Sequence, residues 1–370
     1  MSGLESRLAF SMLRGMTAEM ARHIADCGFT AEGFLDADPS ESSRVLGSSG
    51  RILYDRMAID EARMAARREI EFIGNHHIRA FFLLDDDYPW NLREAPDAPV
   101  MLYELGDTDL NATHVISFVG TRRPTAAGVE TCSRMVADLG AYFPDMVVVS
   151  GLAYGIDATA HQAALDAGVP TVAVVAHGLH TIYPAPHRQL AASIVRHGGA
   201  ILSEYPSGYT PYRQRFLERN RIIAGLSQAT VVVESDVKGG AMSTANMAFS
   251  YSREVLAVPG RPCDPMSSGC NSLIRHNKAA LVTNAADIME ALSWKPDDIP
   301  VDVSSRNLFP ELDGDCKAIY DALRFSKETL SVDALFSLTL IPVARVISAL
   351  GELEFDGIVA KHPGNRYSLA

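Results

Sequence analysis

VISFVGTRRPTAAG, residues 115–128, sets a five-residue run, apolar but for Ser117, directly before a glycine and a basic turn. The same texture returns at MVVVS (146–150), TVAVVA (171–176), AILSEY (200–205), ATVVVE (229–234), EVLAVP (254–259) and ALVT (280–283). Each run is short, β-branched and closed by glycine or a polar turn, with helical periodicity between runs. Strands buried on both faces and alternating with helices specify an α/β fold, a doubly wound parallel sheet with helices on both sides, Rossmann-like in organisation. Its strands and helices fall within about 113–293.

Working outward, FFLL (81–84) ends at Asp85, Asp86 and Asp87, and a Pro- and acid-rich segment follows to about Thr113. This reads as a strand-bearing connector packed on the sheet domain, which extends that domain back to residue 76. Residues 1–75 have short apolar repeats broken by Gly15, Gly28, Gly33 and Gly47, the pattern of a small helical domain. Helix-hairpin-helix (SAM-like) modules have this texture, and so do plain helical caps. Beyond the sheet, KPDDIPVDVSSRN (295–307) lies in a linker over 294–309. Helices expected at 316–325, 331–337 and 342–354, then GIVAKHPGNRYSLA (357–370) with a Pro-Gly-Asn turn, give a winged helix over 310–370.

The 370 residues are 47% apolar, enough for two or three domains. No run of about 18 apolar residues occurs, and MSGLESRLAF lacks the basic start and apolar core of a signal peptide. A cytoplasmic protein with no membrane contact is expected. Five scattered cysteines form no C-x-x-C pair, so neither a metal site nor a disulfide between Cys263 and Cys270 is expected, and no cofactor is called for. A formal charge of −12 opposes unspecific affinity for a polyanion. Any nucleic-acid binding must be local.

In doubly wound folds ligands sit at the carboxyl ends of the strands. Four loops there favour anions. The first carries Gly120, Thr121, Arg122 and Arg123 before a helix start, without a G-x-G-x-x-G fingerprint. The second, SGLAYGID (150–157), contributes Ser150 and Gly151; Asp157 and His161, one turn apart, read as a buried hydrogen-bonded pair rather than a catalytic dyad, since no nucleophile stands beside them. The third, YRQRFLERNRIIAGLS (212–227), holds Arg213, Arg215, Arg219 and Arg221 interleaved with Tyr212 and Phe216. Their spacing cannot place all four arginines on one helical face, so some are expected on a loop; phosphate-gripping arginines beside stacking aromatics suit a single strand. The fourth, VKGGAMSTANMA (237–248), places Lys238 before Gly239 and Gly240, with Ser243 and Thr244 in the first helical turn. Four such loops on one rim imply a phosphate-bearing ligand, either a nucleotide or a nucleic-acid strand.

VGTRRPT, VSGLAYGIDATAH, the Tyr183-Pro184 loop, LSEYP, RNRIIAGLS, EVLAVPG and GCNSLIRHNKAALVT, in this order over about 80–293, resemble the DprA/Smf family of DNA-processing proteins. The resemblance implies a cytoplasmic homodimer that binds single-stranded DNA in a basic pocket and loads the RecA recombinase, in natural transformation or other recombination. Carried over by position, the pocket comprises Gly120, Thr121, Arg122, Ser150, Gly151, Arg219, Asn220, Arg221, Gly240 and Ser243, with Lys238 at its entrance. The chain departs from the family's S-G-S-L-x-T at Gly239–Thr244 and from F-P-x-R-N-R at Phe216–Arg221, where Glu218 adds a negative charge. His177 and His180 read as packing residues.

The competing reading is a nucleoside-monophosphate phosphoribohydrolase, whose loop reads P-G-G-x-G-T-x-x-E. Aligned on the two glycines, its catalytic glutamate falls on Asn246, which can act as neither acid nor base. A duplex reader acting through the winged helix is disfavoured by Glu352, Glu354 and Asp356 around Arg345; a partner-binding or regulatory module suits that composition better.

Overall fold

A computed structural model describes residues 3–38, 41, 56–296, 314–326, 330–355, 359–362 and 366–369. The chain divides into two compact units, residues 1–296 and 297–370.

The seven apolar runs all become strands of the first unit: β3 (Val115–Val119), β4 (Val147–Ser150), β5 (Thr171–Val174), β6 (Ala200–Ser203), β7 (Ala229–Val232), β8 (Glu254–Ala257) and β9 (Ala280–Leu281). They are mutually parallel. The connector supplies two further strands, β1 (Arg79–Phe82) and β2 (Met101–Gly106), and the nine-stranded order is β1-β2-β6-β5-β4-β3-β7-β8-β9. Both join by antiparallel pairing, so the seven runs are parallel as expected and the connector, for which no strand direction was expected, makes the whole sheet mixed. The connector's strands cover the β6 edge, whose backbone would otherwise face solvent unpaired. At Gly106, φ is +129° and a Cβ would lie 2.4 Å from the Gly199 carbonyl oxygen, so only glycine lets β2 approach there.

Helices cover both faces. α6 (Ala126–Tyr142), α7 (Ile156–Ala167) and α12 (Ala285–Leu292) bury Met135, Leu139, Ile156, Ala160 and Ile288 against Phe118, Val148 and Val231. On the opposite face, α9 (Arg213–Leu226), α10 (Gly240–Ser250) and α11 (Ser268–Arg275) bury Ile222, Ile223, Ala245 and Leu273 against Val119, Val149 and Val232. α8 (Arg188–Arg196) packs Ile194 near Ala173 and Ile201. The N-terminal helices α1 (Gly3–Ser11), α2 (Ala18–Asp26), α3 (Ala31–Asp36) and α4 (Arg56–His76) share one apolar cluster with Phe82, Met101 and Tyr103 of the sheet; α5 (Trp90–Arg93) lies between β1 and β2. Thr17 and Thr30 cap α2 and α3 by accepting from the amides of Met20 and Gly33, as N-cap threonines do. The helical segment expected over 1–75 is thus fused to the antiparallel strands through a common core.

Trp294, read as the first linker residue, instead packs edge-on against His114 and Phe143, with centroids 4.6 and 5.3 Å away, and closes the first unit. Residues 297–309 of the expected linker lie outside the described residues.

The second unit comprises α13 (Gly314–Ser326), β10 (Leu330–Ser331), α14 (Val332–Thr339), α15 (Val343–Phe355), β11 (Val359–His362) and β12 (Arg366–Leu369), with strand order β10-β12-β11. Ile319, Leu323, Leu335, Val346, Leu350 and Tyr367 form its core, the arrangement of a winged helix. The Pro-Gly-Asn turn lies outside the described residues. No single helix among the described residues is long and apolar enough to cross a membrane.

Candidate nucleic-acid interface

The chain leaves β3 to build β4, β5 and β6 on one side, then returns to β7 on the other. The strand order therefore reverses between β3 and β7, where adjacent loops diverge and open a crevice. A cavity of about 230 Å³ lies there, lined by residues that include Gly120, Thr121, Arg122, Asp157, Phe216, Arg219, Asn220, Gly239, Gly240 and Thr244. All four anion-friendly loops reach it, the second through Ala153 and Asp157.

The three helix starts at this rim are not equivalent. α6 is capped by Thr125, whose hydroxyl accepts from the Gly128 amide at 3.1 Å, and the Glu234 carboxylate accepts from both the Thr125 amide (2.9 Å) and hydroxyl (2.5 Å). The first loop therefore offers no open helix end to a ligand, contrary to its sequence reading. At α7 the Asp157 carboxylate turns back to the Ala153 amide, 3.3 Å away. α10 alone of the three has no side-chain cap or returning carboxylate, and Gly239, Gly240, Ala241 and Thr244 bring its positive end to the cavity.

Arg219 is 3% exposed and forms the cavity floor, with Nη1 donating to the Val174 carbonyl at 2.6 Å and Nε buried without a hydrogen-bond partner. Burial pulls its guanidinium down to about 10, opposed by Asp157 and reinforced by Arg122. Burial likewise raises the Asp157 carboxyl above its ordinary value, with Arg219 the main opposing influence. Arg122 lies over the Phe216 ring, 6.0 Å from its centroid, and Phe216 contacts the exposed Tyr183 at 5.6 Å. The rim thus sets one guanidinium between an aromatic surface and a second, buried guanidinium. Asn220 donates weakly to the Gly240 carbonyl, 3.5 Å away, tying α9 to α10.

The other sequence candidates lie elsewhere. Ser150 is buried and donates to the Phe118 carbonyl at 2.7 Å, and Gly151 is pressed against Arg219 without lining the cavity. Arg221 points away and pairs with Glu204, most of both side chains buried, in a separate groove beside Tyr103 and Pro99. Lys238 is exposed outside the lining, and Ser243 is turned away on α10, where Thr244 takes the inward position. All four arginines of the third loop lie on α9, which begins at Arg213; they diverge around one helix instead of reaching from a loop. Arg215 lies over the rings of Tyr205 and Tyr209, at 5.2 and 4.8 Å. Tyr205 donates to Glu218 at 2.9 Å, which holds that negative charge on the outer side of the helix.

Asp157 and His161 do not bond to each other. His161 Nδ1 meets the Thr171 hydroxyl at 2.7 Å, and that hydroxyl donates to the Val148 carbonyl, so Nδ1 carries the proton. Burial pushes the imidazole down to about 3. His177 is buried between the Gly178 carbonyl and the Tyr183 amide, and His180 accepts from the Gly208 amide. Both shape loops. Among the described residues no three His, Cys, Asp or Glu side chains are grouped to hold a metal, and no disulfide is present. The sequence reading missed Asp157 as cavity lining, which its place in the first turn of α7 marks, and Glu234, and it carried Ser243 into the pocket where Thr244 of the same turn faces the cavity.

The first unit is a mixed doubly wound sheet with an arginine-floored cavity at its switch point, and the second is a winged helix. Residues 79–293 match the family model of DNA recombination-mediator protein A, and residues 307–365 match the DprA winged helix domain. The chain belongs to the DNA recombination-mediator protein A family, the DprA/Smf proteins. It is 39% identical to the DNA processing protein DprA of Streptococcus pneumoniae over 57% of this chain and 73% of that one, and 35% identical to Protein Smf of Escherichia coli over 78% and 76%. The DprA structure from Streptococcus pneumoniae superimposes with a TM-score of 0.65 at 30% identity, covering 77% of this chain and 97% of that one. DNA processing protein A from Helicobacter pylori, whose structure was described for its single-stranded DNA binding mode, gives 0.52 at 29% identity over 58% and 95%.

Proposed function

We propose that this protein binds single-stranded DNA at the β3/β7 crevice and loads the RecA recombinase onto the strand, as a cytoplasmic homodimer that does no covalent chemistry. The observation that carries the reading is the juxtaposition of Arg122 and Arg219 with the open start of α10, beside Phe216 and Tyr183. Phosphates sit on amides and guanidinium groups, and bases stack on the aromatic rim. The Helicobacter pylori relative's described binding mode supports a single strand as the ligand. A narrow crevice admits a flexible strand and excludes a rod of fixed width. Family membership supports the RecA and dimer assignments.

The nucleotide-hydrolase alternative lacks its base. Asn246 is exposed on α10, donates to the Met242 carbonyl, accepts from Lys278 at 3.0 Å and does not line the cavity.

Fluorescence anisotropy of labelled oligo-dT and a matched duplex, at two salt concentrations, tests the binding. Preference for the single strand that weakens with salt, with an affinity reduced but still measurable in Arg122→Ala, is expected. A wild-type protein indifferent to oligo-dT sinks the proposal. Loading is read from the rate of RecA filament assembly on the same oligonucleotide, which the protein should raise.

A further inference from the structure

Glu234 follows β7 yet serves the start of α6. Thr125 is the N-cap of that helix, and a capping box would place a Glu or Gln three residues on, where this chain has Gly128. Glu234 supplies the missing carboxylate from across the sheet. A Cβ on Gly128 would lie 2.4 Å from the Glu234 carboxyl carbon and 2.6 and 2.7 Å from its oxygens, so glycine leaves the space that the carboxylate fills. Because the Thr125 hydroxyl accepts from the Gly128 amide, its own proton is directed to Glu234. Glu234 is 8% exposed, and its carbonyl accepts from the Thr121 amide at 2.7 Å. One residue therefore holds both ends of the 121–125 loop, the loop that carries Arg122. The helix start after the first strand is where many doubly wound domains receive a phosphate.

We infer that Glu234 is a positioning and specificity residue: its carboxylate takes the anion position at α6, denies it to phosphate-bearing ligands, and fixes the Arg122 loop toward the crevice. The occupied helix start stands on its own; the consequence for Arg122 rests on the proposed function.

Glu234→Ala leaves the Thr125 amide and hydroxyl facing an empty space of carboxylate size. In thermal unfolding at pH 7 and constant ionic strength, formate or acetate replacing chloride should raise the melting temperature of Glu234→Ala saturably, and leave wild type unmoved. Equal responses of the two proteins would overturn the inference. Should Glu234→Ala fail to fold, Gly128→Ala decides. Alanine favours a helix interior over glycine, so a variant as stable as wild type contradicts the assignment, and a destabilised one without anion response supports it. In oligo-dT binding, Glu234→Ala should weaken the wild-type background severalfold and the Arg122→Ala background not at all; equal losses in both backgrounds count against the positioning role. If wild type does not bind oligo-dT, the DNA reading fails, and the anion response still tests the carboxylate.

Discussion

Gly151 and Arg219 touch so closely that a Cβ on the glycine would lie 2.1 Å from Nη1 of the arginine and 2.6 Å from the Asp157 carboxylate. Arg219 cannot retreat freely, since it is buried and bonded to the Val174 carbonyl. Gly151→Ala should displace the guanidinium, break its bond to the Val174 carbonyl and leave Asp157 with Arg122 as its remaining cationic neighbour, a loss of about 1–3 kcal/mol. Urea denaturation reads that loss, and oligo-dT affinity should fall with it. Unchanged stability would show that the loop yields instead.

His161 makes the first unit acid-sensitive. Its folded value of about 3 lies below the roughly 6.5 of an unfolded chain. Below about pH 6.5 the unfolded state binds a proton that the native state refuses, so stability falls on acidification by up to about 1.4 kcal/mol per pH unit, until pH approaches 3. Buried His177 is shifted the same way. Asp157 acts oppositely: its raised value favours the native state at the lowest pH and loses that contribution as pH rises above the ordinary carboxyl range. His161→Gln should flatten the stability profile between pH 6 and 4 by up to one proton's slope. A profile parallel to wild type would contradict the assignment.

Arg122 and Arg221, equal in the sequence, part in the structure. Arg122→Ala should lower the slope of log K against log salt for oligo-dT by about 0.7, one phosphate's worth for a single strand, and leave the melting temperature near wild type. Arg221→Ala should keep that slope and destabilise the fold by about 2–4 kcal/mol, because Glu204, already raised by burial, loses its ion pair. The reverse pattern would return Arg221 to the interface.

The contrast shows what the residues made legible. Strands such as VISFV and ATVVVE are buried on both faces and read directly from composition, which marked the carboxyl-end rim; the place of the crevice on that rim came only with the strand order. β2 escaped because MLYELG mixes a buried Glu104 with a terminal glycine, and its pairing with Arg79 is visible only once β1 is beside it. Side-chain direction escaped too. Arg219 and Arg221 are two residues apart and so point to different sides of α9, and no local signal says which side faces the rim. Glu234 was hidden for a related reason: its partners, Thr125 and Gly128, lie over a hundred residues earlier and meet it only through the β3/β7 pairing.

The winged helix should be dispensable for strand binding. Residues 1–296 form a compact unit with their own cores, and the crevice lies wholly within them. In the second unit, α15 exposes Ala344, Ile347, Ser348, Gly351 and Glu352, and its one arginine, Arg345, is held by both oxygens of Asp315 at 2.6 and 2.8 Å. With that charge neutralised, the helix offers little to a phosphate backbone. A chain ending at Pro296 should bind oligo-dT within about twofold of the full protein, under roughly 0.5 kcal/mol, with an unchanged salt slope. A tenfold loss would mean that the second unit carries part of the DNA surface, and a restored affinity on adding residues 297–370 in trans would locate it there.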